Sequence, residues 1–185
     1  VAWAVWMTGL PGSGKTSVAR QTAKRLSAEG IRVKVLELDK VRKVMTPEPK
    51  YTQEERDMAY AALAYMAKLL VEENVNVIID ATANLRKYRD AARKLIPQFG
   101  EVYIKCPIEI CMEREKVRHA KYAPRDIYKK GLTGKSATVP GVNVPYEEPA
   151  DPIVTVDTEI MKPNKAGIVA AEAIIKRFGM TDERS

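Results

Sequence analysis

Short apolar runs alternate along the chain with segments whose apolar residues recur every three or four positions. Runs rich in β-branched residues read as strands, and the 3.6-residue period reads as helix. The pattern predicts strands at residues 5–9, 31–38, 75–80, 102–106 and 153–156. Around them it predicts helices at residues 16–29, 53–73, 86–96, 108–117 and 165–178, the third stopped near Pro97. The first helix is expected to bury Val18, Ala19, Thr22, Ala23 and Leu26. The second shows Met58, Ala62, Met66 and Leu69 at helical spacing, and the last Ile168, Ala171, Ile175 and Phe178. Runs such as VNVIID are dense in β-branched residues rather than alternating, which suits strands covered on both faces. Alternation of strand and helix then implies an α/β fold, with a parallel sheet of about five strands and helices on both faces. Residues 119–150 break the rhythm. Rich in glycine, proline and lysine, they run longer than an ordinary connection, as lids and binding loops do. With no internal repeat or second domain in view, residues 1–185 read as a single domain.

The first strand leads into Gly9-Leu10-Pro11-Gly12-Ser13-Gly14-Lys15-Thr16, which fits the phosphate-binding pattern G-x-x-x-x-G-K-[ST] in its strand–loop–helix context. The glycines let successive backbone N–H groups turn inward around phosphates, and the helix N-terminus behind them favours negative charge. Lys15 is placed to reach the β- and γ-phosphates of a nucleoside triphosphate, and the Thr16 hydroxyl to hold Mg²⁺.

Composition narrows the setting. The 185 residues carry 31 basic and 24 acidic side chains, a net charge of +7. That balance suits an anionic substrate and would equally suit nucleic acid. No apolar run approaches the roughly 20 residues that span a bilayer, and no targeting segment is visible. The cysteines Cys106 and Cys111, with His119 as the sole histidine, make a poor zinc site and read as small core residues of a cytoplasmic protein. A local excess of charge stands out from residue 121 to 135, where Lys121, Arg125, Lys129, Lys130 and Lys135 face the single acid Asp126. These cations could close over phosphates while Gly131 and Gly134 permit hinge motion, excluding water from the transferring group. A basic surface loop is the plainer alternative.

In open parallel sheets, ligands bind beyond the carboxyl ends of the strands. After the second strand come Asp39 and Arg42, spaced to share one side of a helical turn. The carboxylate could accept a proton from an attacking hydroxyl or hold metal-bound water, and the arginine could bind an anionic acceptor. A helix N-terminal acid beside a solvated arginine has the same spacing. Asp80 closes the third strand as either a metal-shell ligand, through water, or a structural cap. Ala81 follows it, where a motor ATPase would be expected to carry glutamate, and Asn164-Lys165 lacks the acid of a guanine-reading motif. Arg56, Arg86 and Arg89 are further candidates for substrate anions or for plain helix-surface charge.

These pieces in this order resemble the adenylylsulfate kinase (APS kinase) family, from Trp6 to about Asp157. GLPGSGKTSVA is similar to the family's G-L-x-G-[SA]-G-K-[ST], and LELDKVR to its L-D-G-D-x-x-R, with Asp39 on the functional acid and Arg42 on a substrate arginine. Residues 52–56 resemble S-x-E-D-R, which puts Arg56 on another substrate arginine. Residues 127–149 keep Tyr128, Lys129, Lys130, Gly134, Gly141, Pro145, Tyr146 and Glu147 in register. The resemblance implies a three-layer P-loop kinase fold with a lid, usually a homodimer. It implies transfer of the γ-phosphoryl of ATP, with Mg²⁺, to the 3′-hydroxyl of adenosine 5′-phosphosulfate (APS). Lys15 and Asp39 would be catalytic, with Thr16 and Asp39 at the metal. Arg42, Arg56, Lys129 and Lys130 would bind substrate, and Asn84, after the third strand, and Lys135, in the basic segment, are further substrate-binding candidates outside the family's pattern.

The sequence departs from the family at the acceptor side. Ala81-Thr82-Ala83-Asn84 replaces F-I-S-P, Val139 stands where a phenylalanine stacks on the acceptor's adenine, and Ala137 stands where a lysine contacts substrate. Asp80 to Asn84 also resembles the D-x-T-x-N of polynucleotide-kinase-like and seryl-tRNA-kinase-like enzymes. A kinase of another hydroxyl, on RNA, tRNA or a small metabolite, is therefore an alternative, as is a nucleotide-binding regulatory module.

Overall fold

The structure, a computed structural model, describes residues 1–118 and 126–179. Strands β1 (Ala4–Thr8), β2 (Val33–Glu37), β3 (Asn76–Asp80), β4 (Phe99–Lys105) and β5 (Val154–Asp157) form one sheet in the order β2-β3-β1-β4-β5. Every neighbouring pair is parallel, with β1 in the centre against β3 and β4. Along β1, Ala4 and Trp6 point into one core while Val5 and Met7 point into the other, and all four are fully buried. The period-two geometry of a strand makes that division, and the unbroken apolar run allows it.

Helices α3 (Gln53–Glu72) and α4 (Arg86–Leu95) cover the Trp6 face, where Tyr60, Leu63 and Ile79 meet. Helices α1 (Lys15–Ala28) and α7 (Pro163–Phe178) cover the other, with Val18, Leu26 and Ile174 against Val5 and Ile104. Three shorter helices, α2 (Leu38–Met45), α5 (Ile108–Val117) and α6 (Ile127–Leu132), lie near the carboxyl ends of the strands in sequence. No described helix is long and apolar enough to cross a membrane.

The face that α3 buries differs from the stripe singled out in its sequence. Arg56, Ala59, Tyr60, Leu63, Ala64 and Ala67 turn inward, whereas Met58, Met66 and Leu69 are 63%, 37% and 44% exposed. Both stripes have helical spacing, so the period alone does not choose between them. The compact alanines let α3 approach the sheet, and Tyr60 reaches in so that its Oη accepts the Ala83 N–H at 3.0 Å. Two helices also lie outside the expected set. α2 starts directly at the end of β2, and α6 is a six-residue helix inside the 119–150 stretch. His119, Lys121 and Arg125 fall outside the described residues.

Candidate active site

The phosphate loop sits between β1 and α1. Gly12 and Gly14 adopt φ of +80° and +93°, and a Cβ on Gly12 would lie 2.5 Å from the carbonyl oxygen of Cys111. Glycine is required there for both conformation and space. The N-cap of α1 is Gly14, with no capping side chain, so the first amides of the helix remain available to an anion. Lys15 Nζ donates to the Leu10 carbonyl at 2.9 Å. Burial lowers the Lys15 pKa, and the carboxylates of Asp80 and Asp39 oppose that shift.

Opposite the lysine, Thr16 Oγ1 donates to Asp80 Oδ2 at 2.6 Å. Burial raises the Asp80 pKa against the pull of Lys15 and the Thr16 hydrogen bond. Burial raises Asp39 likewise, opposed by Arg42, then Lys15 and Arg118. Three strand ends thus bring one ammonium, one hydroxyl and two carboxylates together. Among the described residues no group of three or more His, Cys, Asp or Glu side chains could hold a metal by itself. A hydroxyl beside a carboxylate is nonetheless the oxygen donor set that suits Mg²⁺, which keeps several waters and takes phosphate oxygens as its remaining ligands.

A cavity of about 820 Å³ opens over this centre. Besides Lys15 its wall carries Arg42, Lys50, Arg56, Arg114, Arg118, Lys130 and Lys135, with Glu37, Asp39, Asp80 and Glu115 as the acids. Of the residues expected from sequence to bind substrate, Asn84 and Lys129 do not line it, and neither do Gly9, Leu10 and Ser13 of the phosphate loop. Lys129 is exposed on α6. Asn84 is buried, its Nδ2 donating to the Pro145 carbonyl at 3.0 Å while its own carbonyl accepts from Glu147 N at 2.7 Å. Arg86 and Arg89 serve the same strap. Arg86 N donates to Glu147 Oε2 at 2.7 Å, and the fully buried Arg89 donates to the Glu147 carbonyl and pairs with Glu101 at 3.5 Å. Tyr146 Oη hydrogen-bonds Thr8 Oγ1 at 2.8 Å, which fastens the strap to the tip of β1.

Several contributors had no strong signal in the sequence. Arg114 donates to Thr158 Oγ1 at 3.1 Å and to the Thr158 carbonyl at 2.6 Å, and Thr158 Oγ1 donates to the Ser13 carbonyl at 2.6 Å. Together they rivet the phosphate loop to the turn after β5. Thr158 follows a strand end, so the same rule that found Asp39 and Asp80 also reaches it, whereas Arg114 reads as ordinary helix charge. Tyr128 Oη donates to the Pro11 carbonyl at 2.5 Å and joins α6 to the loop. Tyr51 and Tyr60 bring aromatic rings to the cavity wall. Val139, at the expected stacking position, is instead fully buried against Gly131 beside Cys106, Cys111 and Tyr128.

Residues 1–157 match the family model described as adenylylsulphate kinase. A probable adenylyl-sulfate kinase of Pyrococcus abyssi is 34% identical over 173 residues, spanning 94% of this chain and 92% of the relative. One from Archaeoglobus fulgidus is 35% identical over 159 residues, spanning 86% and 97%. Among solved structures, the Mycobacterium tuberculosis APS kinase in complex with AMPPNP and APS superposes with a TM-score of 0.80 at 26% identity, covering 94% of this chain and 97% of that one.

Proposed function

The chain belongs to the adenylylsulphate kinase family, and we propose that it transfers the γ-phosphoryl group of ATP to the 3′-hydroxyl of APS. The observation that carries this reading is a single cavity joining the phosphate loop, Asp39 and the two arginines Arg42 and Arg56. Its volume stands at the upper end of small-molecule sites, as a site for two nucleotides requires. The relative solved with AMPPNP and APS has the same fold over nearly all of this chain.

The loop amides and the N-terminus of α1 hold the β- and γ-phosphates of ATP. Lys15 exchanges the Leu10 carbonyl for a phosphate oxygen and balances charge on the transferring group. Asp39 orients the acceptor hydroxyl and takes its proton. Arg42 and Arg56 bind the phosphosulfate through planar, charge-assisted hydrogen bonds. Lys130 and Lys135 complete the positive wall, with Lys129 beside them on α6. Asn84 acts at one remove, by holding the 145–147 strap. Thr16, Asp80 and Asp39 would hold Mg²⁺, which when bound neutralises the β- and γ-oxygens.

The same proposal places the enzyme in the cytoplasm, supported by two unpaired buried thiols, Cys106 and Cys111. It includes a homodimer, supported by the exposed Met58, Met66 and Leu69 face of α3. The test is a coupled assay with ATP and APS. Turnover at micromolar APS is expected, and none from protein shown to bind ATP would reject this acceptor.

A further inference from the structure

Arg56 is 5% exposed, lines the cavity, and its Nε has no hydrogen-bond partner. The hydrogen bond that fixes its outer end goes to a neutral group, since Nη2 donates to Thr138 Oγ1 at 3.0 Å. A threonine hydroxyl has one proton, and Thr138 gives it to the Tyr51 carbonyl at 2.9 Å. Its lone pairs are thereby turned toward the guanidinium. Tyr51 adopts φ of +55°, a left-handed conformation uncommon for an aromatic residue, and its ring centroid lies 5.5 Å from the Arg42 guanidinium. One hydroxyl therefore ties together α3, the loop before it and the 136–140 segment, all of which contribute to the cavity wall.

The chemistry of this clip is informative. A carboxylate in place of Thr138 would hold Arg56 more strongly but would cancel its charge and compete with an incoming anion. A hydroxyl fixes the direction of the guanidinium and leaves its full charge for the ligand. We propose that Thr138 is a positioning residue for the acceptor, aiming Arg56 directly and seating Arg42 through Tyr51. The inference rests on the acceptor being APS, whose anionic group these two arginines bind.

Thr138→Val keeps the shape and removes the hydroxyl, while Thr138→Ser keeps the hydroxyl and removes a methyl. Steady-state kinetics on the full chain should show the acceptor KM of Thr138→Val raised about tenfold, the equivalent of one directed hydrogen bond to a charged group. Its kcat and ATP KM should stay within about twofold, since the lost contact is made equally in ground and transition states. Thr138→Ser should restore the acceptor KM to within about threefold of wild type. An unchanged acceptor KM in Thr138→Val overturns the proposal, as does a serine variant no better than valine. Parallel losses in kcat, ATP KM and melting temperature would mark a merely structural residue and overturn it too. The wild-type rate separates this from the broader reading. A wild type inactive on APS overturns the acceptor assignment and the clip with it, whereas an active wild type with an indifferent Thr138 overturns the clip alone.

Discussion

Burial raises the pKa of the half-buried Asp39 and of the buried Asp80 alike, yet the two carboxylates have different neighbours. Asp80 accepts from Thr16 and interacts with Lys15, which in the proposed reaction suits a group that organises the donor phosphates. Asp39 is opposed first by Arg42, on the acceptor side, which suits a base for the hydroxyl. Asp39→Asn should therefore lower kcat at least about 100-fold with ATP binding nearly intact. The acid limb of the wild-type rate should fall at a pH above the ordinary aspartate range, and the asparagine variant should lack that limb. Stability carries the opposite sign. A raised folded pKa means the folded chain binds more protons, so this contribution is lost as pH rises through that pKa. In thermal melts of the ligand-free protein at pH 7, Asp39→Asn should melt above wild type, with the gap closing as pH falls below the ordinary aspartate value. At this scale the phosphate loop was fully legible, because its residue types and offsets follow from phosphate chemistry alone. Arg114 and Tyr51 were not, because their work depends on a partner distant in sequence or on one unusual φ.

At the scale of elements, the Pro145–Glu147 strap and the α4 N-terminus form one hydrogen-bonded unit around Asn84. The sequence places Asn84 near a strand end and so among substrate ligands, whereas its Nδ2 donates to the Pro145 carbonyl. Asn84→Ala should cost about 1–3 kcal/mol, the penalty for orphaning a buried polar partner. That corresponds to a fall in melting temperature of several degrees, at roughly 2–4 °C per kcal/mol, with ATP KM little changed. A raised acceptor KM at unchanged stability would instead make Asn84 a direct ligand. Four strands match their apolar runs to within about two residues because each run is short and rich in apolar residues. In contrast, β4 begins at Phe99, before the expected 102, since Gly100 and Glu101 interrupt its apolar run. The buried face of α3 was not legible, because alanine, methionine and leucine repeat around more than one side of it. Helix α6 was hidden by its length, since six residues around Gly131 carry too little periodicity to stand out.

For the whole molecule, the parallel sheet and its covered faces follow from the order and apolarity of the runs, but the order β2-β3-β1-β4-β5 does not. Strand order is decided by which crossovers pack, through contacts distant in sequence. It is this order that sets β1 and β3 side by side, with β2 next, and gathers Thr16, Asp39 and Asp80 at one edge of the cavity. The outward methionines of α3 belong to the same scale. Light scattering at micromolar protein should give twice the chain mass, and Met66→Glu should give the monomer without loss of the fold. A monomeric wild type would remove the dimer from the proposal. The proposed function requires this cavity to deliver a phosphoryl group from ATP to a sugar hydroxyl and not to water. The direct measurement is a single turnover with γ-labelled ATP and APS, separating the products. Label is expected on the 3′-oxygen of APS from wild type, with almost none from Asp39→Asn. Label released as inorganic phosphate at the same rate with and without APS would contradict it.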